Sequence, residues 1–301
     1  MLVRLLLSAT LVALASGVFA QALPYPDTLR PERLRWAIIG QSAYVAGGMS
    51  VLYLNWYADK ERVPLHFYRD GRGYKQVDKV GHAYGAYVYS TVGYRSLLRA
   101  GAPKAKALLW GGGLGLYLQT PFEVMDGLYE GWGFSWGDMA ANALGAGLVT
   151  AQEAMFDEQV VRMKFSFSRS AEARASFGYL GDGFGESLLN DYNGHTYWLS
   201  IALKRLSPKP AVPPWLNVAV GYGAGGMLGE FENRRSYRGN ELPILERHRQ
   251  FYLSLDVDWE RVPTRSRLLR SVFRGLNFVK VPLPTLEVNT LGEVRGHWLH
   301  F

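Results

Sequence analysis

The chain has 301 residues, a formal net charge of +7 and no cysteine. Without cysteine, disulfides, Cys-ligated zinc, iron–sulfur clusters, thiol catalysis and lipid attachment at a cysteine are excluded. Apolar residues at 48% against 20% charged exclude a disordered tail or a solvated coiled coil; the positive charge suits an anionic partner, but no nucleic-acid motif accompanies it, so none is expected.

Residues 1–20 read as a secretory signal. Arg4 is the basic start, Leu5 to Ala15 the apolar stretch, and Val18-Phe19-Ala20 a small-x-small cleavage site before Gln21. The stretch is short for a membrane span, so cleavage is expected rather than an uncleaved anchor. The mature chain then begins near Gln21, in the cell envelope.

Residues 21–156 predict a four-helix hydrophobic bundle. Trp36 to Ala58 is uncharged for 23 residues, and Val80 to Tyr94, Ala107 to Phe122 and Met139 to Gln152 are shorter uncharged runs. Only the first has the roughly 20 residues that a span needs. Gly81 and Gly85, Gly111 and Gly115, and Ala141 and Gly145 recur at four-residue spacing, which puts each pair on one helix face and lets backbones approach closely. Arginine and lysine are nearly balanced between alternate connections, so the positive-inside rule assigns no orientation.

Candidate chemistry lies in this half. Asp78 and His82 stand at i, i+4, Glu123 and Asp126 at i, i+3, and Asp138 and Asn142 again at i, i+4, with Ser135 opening the fourth helix and Lys79 beside Asp78. Polar groups near the ends of uncharged helices are costly to bury alone, so they should converge on each other or on a ligand. Asp78, His82, Glu123, Asp126 and Asp138 are the catalytic candidates. Lys79, Ser135 and Asn142 are candidate binding residues. Asp78, His82, Glu123 and Asp126 are candidate ligands of a divalent metal, whose bound water would attack an ester or phosphate. Structure alone also accounts for them: Ser135-x-x-Asp138 is a capping pattern, and Lys79 suffices to neutralise Glu123 or Asp126. No nucleophile elbow, phosphate loop or His-Glu-x-x-His motif is present.

Beyond residue 156 the period changes to two. Val161, Met163, Phe165 and Phe167 alternate with polar residues, as do Tyr197 to Leu203, Leu216 to Tyr222 and Phe251 to Trp259; Val294 to Phe301 forms a last run. Five or six strands are expected over 157–301, as an antiparallel sheet packed on the bundle or a partial barrel. The fold class is α+β. Between strands, residues 264–280 predict a basic amphipathic helix, with Leu269, Val272, Phe273 and Leu276 on one face and Arg265, Arg267, Arg270 and Arg274 around it, suited to anionic lipid or to covering the sheet.

The ordered motifs Leu65 to Asp70, Asp78-Lys79-Val80-Gly81-His82, Glu123-x-x-Asp126-Gly127 and Gly133-Phe134-Ser135-x-x-Asp138-x-x-x-Asn142 resemble the YfiM-like family of predicted periplasmic lipoproteins of unknown function. The runs Asp191 to Ser200 and Trp215 to Gly223 look like its longer members, and the helical pattern is distantly similar to VanZ-like membrane proteins. The resemblance implies an envelope location and supplies no activity; the missing cysteine departs from its lipoprotein members. The expectation is a membrane-associated structural or binding component of the envelope, exported to the periplasm or outer membrane, whose partner is a membrane lipid or envelope component. The alternative is a hydrolase or transferase acting on an envelope lipid or glycan through the His/carboxylate site.

Overall fold

A computed structural model describes residues 25–26, 28–206 and 212–300; the expected signal segment lies outside them. The chain divides into two compact units. One holds His82–Gln159 with the described residues up to Gly71, and the other holds Arg72–Gly81 with the described part of Val160–Phe301.

The first unit is helical. Helix α1 (Pro31–Leu52) opens on a proline, which forfeits no helical hydrogen bond at that position, and runs into a π-helical turn, Tyr53–Tyr57. Helix α2 (Val77–Arg99) contains the division between the units. A π-helical stretch, Ala107–Gly112, precedes α3 (Leu114–Asp126), so the uncharged run from Ala107 is broken at Gly113. Helix α4 spans Trp136–Phe156. No helix among the described residues is long and apolar enough to cross a membrane. This corrects Trp36 to Ala58 as a candidate span: the run lacks charge, but its glycines, Gln41, two serines and Asn55 hold its hydropathy down.

Two of the spaced glycines set the packing around α2. A Cβ on Gly115 would stand 2.1 Å from the Ala86 carbonyl oxygen, and one on Gly145 would stand 2.0 Å from that of Ala83. Helices α3 and α4 therefore lie directly on the backbone of α2 beside His82. Large apolar side chains point away from these contacts: Trp36, Leu54, Trp110, Trp136, Leu144 and Met155 are all exposed.

The second unit is built on a six-stranded antiparallel sheet ordered β1-β2-β3-β6-β7-β8, open rather than closed. Its strands are β1 (Val161–Phe167), β2 (His195–Ala202), β3 (Leu216–Gly225), β6 (His248–Val257), β7 (Leu283–Asn289) and β8 (Val294–His300). β4 (Ser236–Tyr237) and β5 (Asn240–Glu241) form a separate ribbon. The period-two runs locate five strands of the large sheet. The sixth, β7, is hidden because Pro282 and Pro284 argue against a strand; Pro284 falls at the register shift between Leu283 and Thr285, where β7 leaves regular pairing with β8. The amphipathic helix α6 covers Arg267–Leu276, shorter than 264–280, and starts where Ser266 Oγ accepts a hydrogen bond from the Leu269 amide at 3.3 Å. Before it, helix α5 spans Phe184–Asn190.

The polarity of this sheet is inverted. Leu199, Val220, Leu253 and Leu286 are cross-strand neighbours in one row and are all exposed; Phe251 and Val288 continue the face in the next row. The opposite face buries Lys164, Ser200, Asn217, Ser254, Asp256, Thr285 and Glu287. These groups are paired: Lys164 Nζ lies 2.7 Å from Asp256, Ser200 donates to Asp256 at 2.5 Å, and Asn217 donates to Ser200 at 2.9 Å. At its end, Arg162 bridges Asp258 at 3.0 Å and Glu260 at 2.9 Å, and His297 meets Glu287 at 2.7 Å. Alternation alone predicts one apolar face but not which side it takes.

The loop entering α2 holds three successive left-handed residues, Tyr74, Lys75 and Gln76, at φ 43°, 53° and 67°. The surrounding unit fixes them. The Tyr222 hydroxyl donates to the Lys75 carbonyl, Arg249 donates to Gln76 Oε1 at 2.6 Å, the Tyr74 amide donates to the Glu230 carbonyl at 2.8 Å, and Tyr74 stacks on Tyr192 at 4.3 Å.

Candidate functional site

In the helical unit, three polar side chains come together where α2, α3 and α4 meet, and a fourth follows one of them along α4. His82 lies on α2, Glu123 in the last turn of α3, Asp138 in the first turn of α4, and Asn142 one turn later. His82 Nδ1 stands 3.4 Å from Glu123 Oε1, and Nε2 stands 3.7 Å from Asp138 Oδ1. One carboxylate therefore faces each nitrogen of the ring. Glu123 is 1% exposed and Asn142 0%, while the His82 side chain keeps 26% of its surface open. Neither amide atom of Asn142 has a hydrogen-bond partner among the described residues.

Local capping and packing hold this geometry. Ser135 is the N-cap of α4: its Oγ accepts from the Asp138 amide at 3.1 Å and donates to Asp70 Oδ1 at 2.8 Å. Gln119, one turn before Glu123, donates to the His82 carbonyl at 3.1 Å and ties the two helices at the level of the ring. Gly145, one turn beyond Asn142, admits the α2 backbone.

The remaining candidates also make contacts of their own. Asp126 accepts a hydrogen bond from the Tyr57 hydroxyl. Burial first, then the Asp126 charge, push that hydroxyl well above its usual range, so it remains a donor. Rings of Tyr129 and Trp132 pack on Tyr57 at 5.0 and 5.6 Å. Asp78 and Lys79 belong to the sheet unit, where they pair with each other at 3.1 Å and Asp78 also accepts from the Tyr192 hydroxyl at 3.1 Å. In the same unit Asp191 binds the Ser170 amide and hydroxyl at 2.8 and 2.9 Å, and Asn193 bonds both backbone groups of Met227, which gives the Asp191 to Ser200 motif a structural task.

The spaced polar pairs of the sequence do not mark Gln119 or Tyr57, and Asp70 is marked only as the end of the Leu65 to Asp70 motif, with no role at the site. Gln119 carries a usable signal, because it precedes Glu123 by one helical turn. Tyr57 carries none, since the π-helical turn that brings it to Asp126 has no local signature. An open cavity of about 670 Å³ in this unit is lined by Val63, Pro64, Leu65, His66, Glu130 and Gly131, and shares no residue with the cluster.

Chemically, an imidazole between two carboxylates can hold its proton on either nitrogen or present one nitrogen to a cation. No curated protein and no solved structure matches the chain. Residues 67–153, which include the whole cluster, match the family DUF2279, described as a predicted periplasmic lipoprotein. The 301 residues contain no cysteine to carry a lipid. Over that segment the chain is similar to an exported cell-envelope family, and a cell-envelope location is the one that the match supports.

Proposed function

We propose that this protein is a membrane-associated, structural or binding component of the cell envelope, whose sheet presents its apolar face to lipid. The observation that carries the reading is the inverted polarity of the sheet. In water, each half-exposed Leu, Val or Phe on that face forgoes about 1 kcal/mol of burial, and the rows are contiguous across four strands. Lipid reverses that account, while the paired charges stay shielded on the inner side.

Helix α6 supports the same partner. Leu268, Leu269 and Val272 are exposed together with Arg267, an arrangement that seats apolar side chains among acyl chains and guanidinium groups at anionic headgroups. The motif order from Leu65 to Asn142 supports kinship with the YfiM-like proteins in particular. The absence of native cysteine makes a direct test clean. Leu253→Cys, Ser254→Cys and Leu255→Cys, each spin-labelled in protein bound to vesicles with anionic lipid, are compared for collision with oxygen and with a water-soluble nickel complex. Labels at 253 and 255 are expected in the oxygen-rich apolar phase, and the label at 254 is not. Labels at 253 and 255 that remain open to nickel would end the proposal.

A further inference from the structure

We infer that the helical unit contains a divalent-cation site, with His82 Nε2, Asp138 and the side-chain carbonyl of Asn142 as ligands and Glu123 as the positioning residue behind His82. This goes beyond the lipid-facing sheet and does not depend on it.

Asn142 supplies the first argument. A primary amide with both polar atoms buried and unpaired carries the full cost of its desolvation, about 1–3 kcal/mol. The side chain lies one turn after Asp138 on a stripe of α4 that continues to Gly145, and Gly145 lies against Ala83 and Ala86 of α2. It therefore faces the side of α4 that carries the Asp138 carboxylate toward His82. A cation there takes the amide oxygen as a ligand and removes that cost.

Distances supply the second argument. His82 Nε2 and Asp138 Oδ1, at 3.7 Å, are too far apart for a hydrogen bond. Two ligands held about 2.1 Å from one ion stand at most about 4.2 Å apart, so the gap fits a shared cation. On the other edge of the ring, Glu123 Oε1 at 3.4 Å from Nδ1 occupies the place of the carboxylate that orients a metal-binding imidazole and fixes Nε2 as the free nitrogen. The quarter of the His82 side chain left exposed is the way in. An imidazole, a carboxylate and an amide oxygen with no thiolate suit Zn²⁺ or Mn²⁺ rather than a soft ion.

The test is calorimetric titration of the full chain, stripped with chelator, with Zn²⁺ and with Mn²⁺. Saturable uptake of one ion per chain is expected, with a rise in thermal midpoint as the ion is added. Asp138→Asn and Asn142→Leu should each weaken uptake by about 100-fold or more, and Glu123→Gln by about 10- to 100-fold. Asn142→Leu places no charge inside the protein, so it keeps the test decisive if Asp138→Asn fails to fold. Absence of saturable uptake by the parent chain overturns the inference, as does uptake that survives Asn142→Leu unchanged.

Discussion

The two units bury polar groups in different ways. Inside the sheet unit, Lys164 meets Asp256, Arg162 meets Asp258 and Glu260, and His297 meets Glu287, so each of these charges finds an opposite one within 3.0 Å. Where the helices meet, the contacts are longer and Asn142 has no hydrogen-bond partner among the described residues. Ion pairs this short fix one arrangement of a sheet, even with Asn217 Oδ1 and Asp256 Oδ1 left without a hydrogen bond among the described residues; the looser contacts of the helices are equipped to receive something.

The largest effect should come from opening these short ion pairs. Lys164→Ala leaves Asp256 buried without its main counter-charge and is expected to cost about 3–5 kcal/mol, read as a drop in the urea midpoint. A loss below about 1 kcal/mol would mean that the interior of the sheet is wetter than the burial implies, and the contrast between the units would collapse.

Gly145→Ala comes next. Its new methyl would press on the Ala83 carbonyl, and a penalty of about 3 kcal/mol is expected in the thermal transition. The helical side of the comparison predicts the opposite sign at one nearby residue. Asn142→Leu in ion-free protein should raise stability by about 1 kcal/mol, since an unpaired buried amide is replaced by an apolar group of similar size. If Asn142→Leu instead destabilises as strongly as Lys164→Ala does, the cluster is as closed as the sheet.

A smaller effect is set by pH. Burial lowers the Lys280 ammonium from 10.5 to about 8, with Asp256 opposing the shift and Lys164 adding to it. Between those values the unfolded chain binds more protons, so stability rises as pH increases from about 8 towards 10.5, while below about 8 the penalty is complete and constant. Urea midpoints at both ends of this window, in the parent and in Lys280→Met, check it: the rise should be smaller in the variant, where only Lys164, also lowered by burial, still adds to it.

Much of this architecture can be read in the sequence, and the failures have physical causes. The spaced glycines and the spaced polar pairs record helix faces, so the sequence pattern already marks His82, Glu123, Asp138 and Asn142. Asp78 and Lys79 fit the same spacing, yet the chain assigns them to the sheet unit, because helical periodicity is blind to where one compact unit ends. Leu253 and Leu255 alternate with Ser254 and Asp256 whether the leucines face a core or a solvent. Only the burial of Lys164 and Glu287 on the other side decides, and that information is held by strands remote in sequence.

The left-handed turn at Tyr74, Lys75 and Gln76 places a constraint on time as well as on shape. Each residue there adopts a handedness that costs about 1–2 kcal/mol, and three in succession cannot be nucleated by their own neighbours. The bonds that hold them come from Tyr222, Glu230 and Arg249, so the segment is expected to acquire its form only after β3 and β6 have paired. The start of α2 is thus predicted to form late in folding, and its amides should open early in native-state hydrogen exchange. Lys75→Gly should gain about 1 kcal/mol by removing one residue's share of the penalty, and the gain should appear mainly as slower unfolding.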